Sequence, residues 1–277
     1  MPEISAAAVK ALRDKTQLPM MDCKRALQEA NGDQEKAIRC LREQGRKTMV
    51  ARSGRATNAG RIAIYTSMDP GVGAMVELQC ESAPVAAHDD FRQLADDLAR
   101  QLAVGPGART PEALWDQPSP SHEGLTLAEQ RDEIANRIRE TFRLARLVRI
   151  DAPCGGYLHH TAADGVLLVV SAGSPESAKE ISMHIAAMRP QVINKEDLDP
   201  VEIKKEREIL TKQARAEGKP EKIIEKMVDG RMRNFFAERV LVEQPYVKDE
   251  NVTVGKFAKA NGVTPVRFLH WQLGRTT

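Results

Sequence analysis

Hydrophobic and polar residues change their spacing abruptly near position 82 of the chain. Before it, Val76, Leu78 and Cys80 alternate with polar residues, as in a strand with one buried face. After it, apolar residues recur at helical spacing up to Ala103, namely Phe91, Leu94, Ala95, Leu98 and Leu102. The pattern predicts a strand that turns at a corner into one helix, with Ser82 as its cap and Pro84 in its first turn. Such a corner is either a contact point or a plain connection.

Three short helices are predicted within residues 3–45. Ser5 and Asp33 are capping residues for the first and third helix, and Asn31-Gly32 ends the second. We expect Gly45 to close the third helix. The stretch from Gly45 to Ala59 is basic and lacks periodicity, so it is interpreted as a linker, with phosphate binding as the alternative.

The central region predicts two modules with the same outline, each a strand hairpin followed by a helix. The first has strands at 61–66 and 72–80, and the second has strands at 144–150, 156–160 and 166–171 with a helix from Pro175 to Arg189. A loop rich in Gly and Pro at Gly105–Gly124 and a helix at Leu127–Phe142 separate them. The repeated outline suggests a duplication.

The last third of the chain is more charged. Two amphipathic helices, Val201–Glu217 and Glu221–Val240, flank a Gly-Lys-Pro turn and predict an antiparallel helical hairpin. This hairpin is either an interaction arm or a solvated helix pair. A helix at Val254–Asn261 and an edge strand at Val266–Leu273 are expected to return to the second module.

Composition narrows the function classes. In the 277 residues, charged side chains make up 29% and hydrophobic ones 42%, which is typical of a globular protein. A net charge of +2 and 4% aromatic residues argue against a nucleic-acid binder. The four cysteines form no CxxC pair, the N-terminus does not resemble a signal sequence, and no apolar run could span a membrane. We therefore expect a reduced cytoplasmic protein without a metal or cofactor.

Several motifs resemble the elongation factor Ts family of bacteria. At the N-terminus they are Leu12-Arg-Asp-Lys-Thr16, Met20-Met-Asp-Cys-Lys-Arg-Ala-Leu27 and Ala30-Asn-Gly-Asp33. Later matches are Met183-His-Ile-Ala-Ala187, the segment from Gly218 to Arg231, and Gln244-Pro-Tyr-Val247. They follow the family order over nearly the whole chain.

The resemblance and the pattern together predict an α+β fold. It comprises an N-terminal three-helix ubiquitin-associated-type domain, a duplicated strand-plus-helix core and an inserted antiparallel coiled-coil hairpin. The expected boundaries are 1–45 for the helical domain, 46–57 for the linker and 58–143 for the first half of the core. The second half takes 144–196 together with 244–277, and the hairpin takes 197–243.

The resemblance implies a guanine-nucleotide exchange factor that performs no covalent chemistry of its own. Family members bind elongation factor Tu, both GDP-bound and nucleotide-free, and disturb its magnesium and phosphate site. The implied partners include no nucleic acid and no membrane, and a homodimer is left open. The chain ends soon after Trp271, whereas some members carry a further helical module.

The resemblance also indicates which residues contact the partner. Leu12, Met20 and Met21 match apolar contact positions of the N-terminal domain; from the helix pattern alone, Met20 and Met21 are either both core or one of them is exposed. Tyr157 and His159 match a Tyr-x-His segment. The corner motif differs, because the family has Thr-Asp-Phe-Val-Ala where this chain has Ser82-Ala83-Pro84-Val85-Ala86.

Two interpretations from other classes remain as alternatives. An enzyme could use Cys80 near His88, or Cys154 near His159 and His160, although buried structural cysteines are more common. Cys154, His159, His160 and His184 follow no zinc spacing, and no phosphate-binding glycine motif is present. The helical domain alone would also suit a ubiquitin-type or ribosome-associated adaptor.

Overall fold

The computed structural model of the protein describes residues 4–52, 54–218 and 220–275. One compact unit contains the described residues within Met1–Ala63, Met75–Arg149 and Leu273–Thr276, and a second contains those within Ile64–Ala74 and Ile150–Gln272. Helices and small sheets both occur, which confirms the α+β class. Glu3 and Lys219, which belong to the predicted helical segment and hairpin turn, and the side chain of Arg46 lie outside the described residues.

Three helices begin the first unit: α1 (Ala6–Thr16), α2 (Met20–Glu29) and α3 (Gln34–Arg52). Ser5 caps α1, because its hydroxyl oxygen accepts a hydrogen bond from the backbone N–H of Ala8 at 3.2 Å. The apolar faces of the three helices meet in a core of Val9, Leu12, Leu18, Cys23, Ala26, Leu27, Ala30, Ala37 and Leu41. The predicted three-helix arrangement is therefore present.

Helix α3 does not end at Gly45 but continues to Arg52, so the predicted linker is wrong for residues 46–52. Gly45 instead lies inside α3, where the absence of a side chain lets the side chain of Asn136 come close. A Cβ atom at position 45 would lie 2.7 Å from Cγ of Asn136, inside van der Waals contact. The Asn136 amide also donates to the carbonyl of Leu41 at 3.5 Å. Glycine is a local stop signal in the sequence, and this tertiary contact overrides it.

Strands β1 (Ala59–Ser67) and β2 (Val72–Cys80) follow, and β2 has the predicted bounds. The single helix predicted from Ser82 to Ala103 is two helices, α4 (Ala83–Ala86) and α5 (Asp89–Val104). His88 separates them, because its backbone is extended and its Nδ1 accepts a hydrogen bond from the N–H of Asp90 at 3.2 Å. The apolar face predicted for α5 is buried.

A short helix, α6 (Pro111–Trp115), interrupts the predicted loop, and α7 (Leu127–Ile138) and β3 (Arg143–Ile150) complete this part of the chain. The helix predicted to reach Phe142 ends earlier, because Arg139 adopts a left-handed conformation with φ 66°. Phe142 packs against Phe91 instead, with ring centroids 4.9 Å apart.

Strand β3 corrects the predicted grouping of the strands. The first sheet has the order β1-β2-β3, whereas the sequence placed the 144–150 strand in the second module. The repeated outline of the two modules suggested the wrong grouping, because sheet neighbours are set by tertiary packing, which the local pattern does not show.

The second unit contains β4 (Cys154–Leu158), β5 (Asp164–Ala172) and α8 (Pro175–Met188). The two strands pair antiparallel, with Gly156 opposite Leu167. Ser174 caps α8 through the backbone N–H of Ser177 at 3.2 Å, and Pro175 occupies the first turn of the helix. This strand hairpin followed by a helix has the predicted outline, while an origin by duplication stays a prediction.

Helices α9 (Pro200–Ala216) and α10 (Glu221–Arg239) form the predicted helical pair. A shared apolar core joins them, and its buried members include Leu210, Ala214, Ile224, Val228 and Met232. Ion pairs also connect the two helices, Arg207 with Asp229 at 2.9 Å and Arg231 with Glu217 at 2.7 Å. Exposed pairs of this kind contribute little stability, so the apolar core holds the pair together.

The chain then returns through β6 (Pro245–Tyr246), β7 (Asp249–Thr253), α11 (Val254–Ala260) and β8 (Thr264–Gln272). Strand β8 pairs antiparallel with β5, giving the sheet order β4-β5-β8. The predicted return of an edge strand to the second module is confirmed.

A buried histidine fastens the segment after α10 to α8. The Nδ1 atom of His184 accepts a hydrogen bond from the backbone N–H of Val247 at 3.2 Å, so Nε2 carries the proton and donates to Oε1 of Gln244 at 2.9 Å. Both nitrogens of the neutral ring are therefore satisfied. Burial lowers the pKa of His184, and its hydrogen bond with Gln244 opposes this shift only in part.

Replacing Gly45 by alanine should change the stability of the protein in the opposite direction to the same replacement at Gly230, because Gly45 lies close to Asn136. Gly230, inside α10, has open space beside it, with no atom other than the neighbouring backbone of its own helix within 4 Å of where a methyl group would lie, so Gly230→Ala should stabilise the protein by up to about 1 kcal/mol. Gly45→Ala should instead destabilise it by about 1 kcal/mol, because the new methyl group meets Asn136. Urea unfolding followed by circular dichroism measures both. Asn136→Ala should relieve the effect, and a Gly45→Ala variant as stable as Gly230→Ala would refute the contact.

His184 predicts a loss of stability under mild acid. Its pKa in the folded protein lies below the ordinary value of 6.5, so its stabilising contribution is complete above pH 6.5 and is lost as the pH falls through the folded value. Urea unfolding at pH 7.5, 6.5 and 5.5 should show a steeper decline for the unsubstituted protein than for His184→Gln. Equal declines would contradict this role, and the exposed His160, changed to Gln, serves as the control.

Candidate functional site

The corner between β2 and α4 exposes two small, rigid residues. Ala83 and Pro84 are exposed at the start of α4, while Ser82 and Val85 are half-buried. Pro84 lies in the first turn of α4, as predicted, where its missing N–H leaves no hydrogen bond unmade. The four residues therefore form a short projection whose backbone is constrained by the ring of Pro84.

The carboxylate of Glu140 holds this corner in place. Its Oε2 accepts hydrogen bonds from the backbone N–H groups of Glu81 and Ser82, both at 3.1 Å. Its Oε1 accepts a hydrogen bond from the hydroxyl of Ser82 at 2.5 Å. The Ser82 side chain is thus committed to Glu140 and makes no capping bond to the helix, which corrects the predicted role of Ser82 as a cap.

The side chain of Glu81 bonds in the reverse direction, from the corner to the 140–141 segment. Its Oε1 accepts a hydrogen bond from the backbone N–H of Thr141 at 2.9 Å, and Arg55 donates to its Oε2 at 3.2 Å. Burial alone would raise the pKa of Glu81, but the hydrogen bonds from Thr141 and Arg55 outweigh it and lower the pKa. The corner is consequently tied to the 140–141 segment by bonds in both directions.

Sequence reasoning missed Glu140, because the predicted helix over Leu127–Phe142 placed it on a helical surface. The left-handed residue that releases it from the helix, Arg139, is not glycine or asparagine and so gives little sequence signal. A pairing between residues about 60 positions apart in the chain also leaves no local pattern.

Cys80 and Cys154, the two cysteines considered as nucleophiles, are unsuited to that chemistry. Cys80 is buried, and its thiol donates to the carbonyl of Ser82 at 3.2 Å. Burial and then the charge of Glu140 raise the pKa of Cys80 to about 12, and burial raises that of Cys154 to about 11. Both thiols are protonated near neutral pH, so the enzyme alternative lacks an activated nucleophile.

Two of the histidines considered for a metal site, His184 and His159, are bonded to other groups. His184 is bonded to Gln244 and Val247, and His159 shares a hydrogen bond of 2.8 Å with the hydroxyl of Thr161. Within residues 4–52, 54–218 and 220–275, no group of three or more His, Cys, Asp or Glu side chains could hold a metal ion.

The predicted N-terminal contact residues separate into two kinds. Met20 and Met21, at the start of α2, are 50% and 63% exposed, so both are available to a partner. Leu12 is completely buried in the core of the three helices, which corrects its interpretation as a surface contact. Its side chain belongs to the same apolar core as Cys23 and Leu27 of α2, the helix that carries both methionines.

Tyr157 and His159 lie at the end of β4 and just beyond it, and both are half-buried. Their rings approach edge to face with centroids 6.4 Å apart, and the ring of His160 lies 4.1 Å from that of His159. The backbone N–H of His159 donates to the carbonyl of Asp164 at 2.9 Å, which closes the turn to β5. The structure thus presents a small aromatic cluster at this turn.

None of the helices in the described part of the chain combines the length and apolar character needed to cross a membrane.

Comparison with known proteins gives matches over nearly the whole chain. A family model described as "Elongation factor TS" matches residues 81–275. A protein named "Elongation factor Ts" from Methylococcus capsulatus is 40% identical over 274 residues, covering 98% of this chain and 92% of the relative. One from Micrococcus luteus is 40% identical, covering 99% of this chain and all of the relative. One from Clostridium botulinum is 42% identical, covering 98% and 93%.

The thiol environments predict the order of alkylation. Cys40 is half-exposed, whereas Cys23, Cys80 and Cys154 are buried. Treatment of the folded protein with a maleimide at pH 7 should therefore modify Cys40 first and leave Cys80 and Cys154 intact, as judged by peptide mass spectrometry. Unfolding in guanidinium should make all four react. Rapid labelling of Cys80 in the folded protein would show that its thiol is neither buried nor protonated.

Proposed function

The chain belongs to the elongation factor Ts family of translation elongation factors, and on this premise we propose that it binds elongation factor Tu and promotes exchange of GDP for GTP. It acts by disturbing the magnesium and phosphate site of that partner. The single observation that supports this best is the exposed Ala83-Pro84 corner at the position of the family's contact motif, in a chain about 40% identical to its relatives over nearly its full length.

Exchange requires differential binding. The protein must bind nucleotide-free elongation factor Tu more tightly than the GDP-bound form, because linkage then weakens GDP binding by the same factor. Equal affinity for the two forms would shift nothing, however tight the binding. Rigid contact surfaces favour this mechanism, because a surface that adapts to both forms discriminates less between them.

We propose that Ala83 and Pro84 enter the partner as a wedge smaller than the family's Asp-Phe pair. A phenylalanine wedge would bury more apolar area, worth roughly 2–3 kcal/mol. Proline buries less, but its ring leaves little backbone freedom to lose on binding. A partner surface altered to fit the smaller wedge follows from this proposal.

Two further surfaces complete the proposed contact. Met20 and Met21 supply flexible apolar side chains to the nucleotide-binding domain of the partner, a use suited to methionine. Tyr157 and His159 contact a different domain. Each surface belongs to an exposed or half-buried element, so no rearrangement is required for access.

The protein performs no covalent chemistry in this proposal and works in the cytoplasm with both the GDP-bound and nucleotide-free partner. The α9–α10 pair is proposed as the family's coiled-coil insertion, and the N-terminal helices as its ubiquitin-associated-type domain. A homodimer is compatible with this role but is not needed for it.

The second candidate function is stabilisation of elongation factor Tu with only slow nucleotide exchange. The loss of the acidic and aromatic residues at 83 and 84 favours a protein that stabilises elongation factor Tu and exchanges nucleotide slowly. The two candidates differ in one measurable quantity, the rate of GDP release at saturation.

Stopped-flow release of fluorescent GDP from the cognate elongation factor Tu tests both candidates. The protein should accelerate release, and Pro84→Ala should lower the maximal rate by about tenfold, equivalent to ~1.4 kcal/mol of lost contact. Pro111→Ala is the control, because Pro111 also lies in the first turn of a short helix, α6. Release no faster with the protein than without it would reject exchange and leave the stabilising role.

A further inference from the structure

Residues Arg139, Glu140 and Thr141, which we call the 139–141 strap, link two parts of the first unit. The strap follows α7 directly and precedes β3. On one side it is bonded to the N-terminal helices, and on the other it is bonded to the corner that contains Ala83 and Pro84. Its three residues therefore connect the two elements of this unit that carry the proposed partner contacts.

The bonds to the N-terminal helices involve both helix α2 and the end of α3. Arg139 donates from Nη2 to Oδ2 of Asp22 at 2.9 Å, and Asp22 directly follows Met21. Arg52 donates from Nη1 to the carbonyl of Arg139 at 2.8 Å. The hydroxyl of Thr141 donates to the carbonyl of Arg52 at 3.2 Å. The strap is thus fixed by side-chain and backbone groups together.

The bonds to the corner are made chiefly by Glu140. Its carboxylate accepts from two consecutive backbone N–H groups and one hydroxyl, those of Glu81 and Ser82. Hydrogen bonds to an ionised acceptor are stronger than neutral ones. Without the carboxylate, two backbone donors of the corner would lose their partner, and the bonds of Glu81 to Thr141 and Arg55 would be left to hold the direction in which Ala83 and Pro84 project.

We propose that Glu140 is a positioning residue for nucleotide exchange, holding the Ala83-Pro84 wedge at a fixed distance and angle from the Met20-Met21 surface. This inference rests on the proposed function. Glu140 need not touch the partner. It makes the wedge and the methionine surface one rigid binding face, so that docking through the methionines carries the wedge into the partner without a further ordering step.

The experiment compares Glu140→Ala and Glu140→Gln with the unsubstituted protein. Release of fluorescent GDP from elongation factor Tu is recorded over a range of protein concentrations, giving a maximal rate and a half-saturating concentration. Glu112→Ala is the control, since Glu112 is an exposed carboxylate on α6. Circular dichroism establishes that each variant is folded, and hydrogen exchange of the peptide over residues 80–87 reports the mobility of the corner.

Glu140→Ala should lower the maximal rate about tenfold, whereas its half-saturating concentration should stay within about twofold because the methionine surface is unchanged. A merely structural role would instead reduce the folded fraction and leave the rate at saturation unaltered. The amides of Glu81 and Ser82 should exchange about tenfold faster. Glu140→Gln should give intermediate values, because its amide oxygen still accepts hydrogen bonds.

The outcomes separate the two proposals. If the unsubstituted protein does not accelerate GDP release, the proposed exchange function fails and the positioning role fails with it. If it does, and Glu140→Ala keeps the full maximal rate, exchange stands and the positioning role is overturned. Should Glu140→Ala not fold, Glu140→Gln decides: faster amide exchange at the corner with an unreduced maximal rate would also overturn it.

Discussion

The carboxylate of Glu140 is the constraint on which the conformation of the corner after β2 depends. An exposed corner of small residues has little apolar contact of its own to hold it, so its conformation must be set by polar bonds. Glu140 supplies acceptors for two backbone donors and one hydroxyl, and Thr141 donates back to Glu81. These bonds make the projection of Ala83 and Pro84 a property of the folded chain rather than of a mobile loop.

For the wedge proposed at Ala83 and Pro84, rigidity matters more than it would for a larger wedge. A bulky aromatic side chain gains enough apolar burial to offset the ordering of its own backbone. Alanine and proline gain less, so any ordering on binding would consume a larger share of the available free energy. The ring of Pro84 and the bonds to Glu140 both remove that ordering in advance. A reduced wedge and a tightly held corner are therefore consistent with each other physically.

Much of the fold could be predicted from local pattern, while the contacts between distant segments could not. Strand β2, the helical pair and the returning strand β8 follow from hydrophobic periodicity and turn residues. Gly45, Arg139 and strand β3 were misjudged, because a close approach to Asn136, a left-handed non-glycine residue and a choice of sheet partner depend on tertiary packing. Of the candidate site, the exposed residues were predictable, whereas Glu140 was not.

Leu12 belongs to the N-terminal motif but does not reach the surface that carries Met20 and Met21. It is fully buried, while Met20 and Met21 on the neighbouring helix remain exposed. Leu12 shares its core with Cys23, Ala26 and Leu27 of α2, so α2 is packed through these residues and can keep both methionines on the surface. Small exposed apolar groups are tolerated in a free protein, and their burial is gained only when a partner covers them. Under the proposed function, the buried member of the motif serves by packing and the exposed members by contact with the partner.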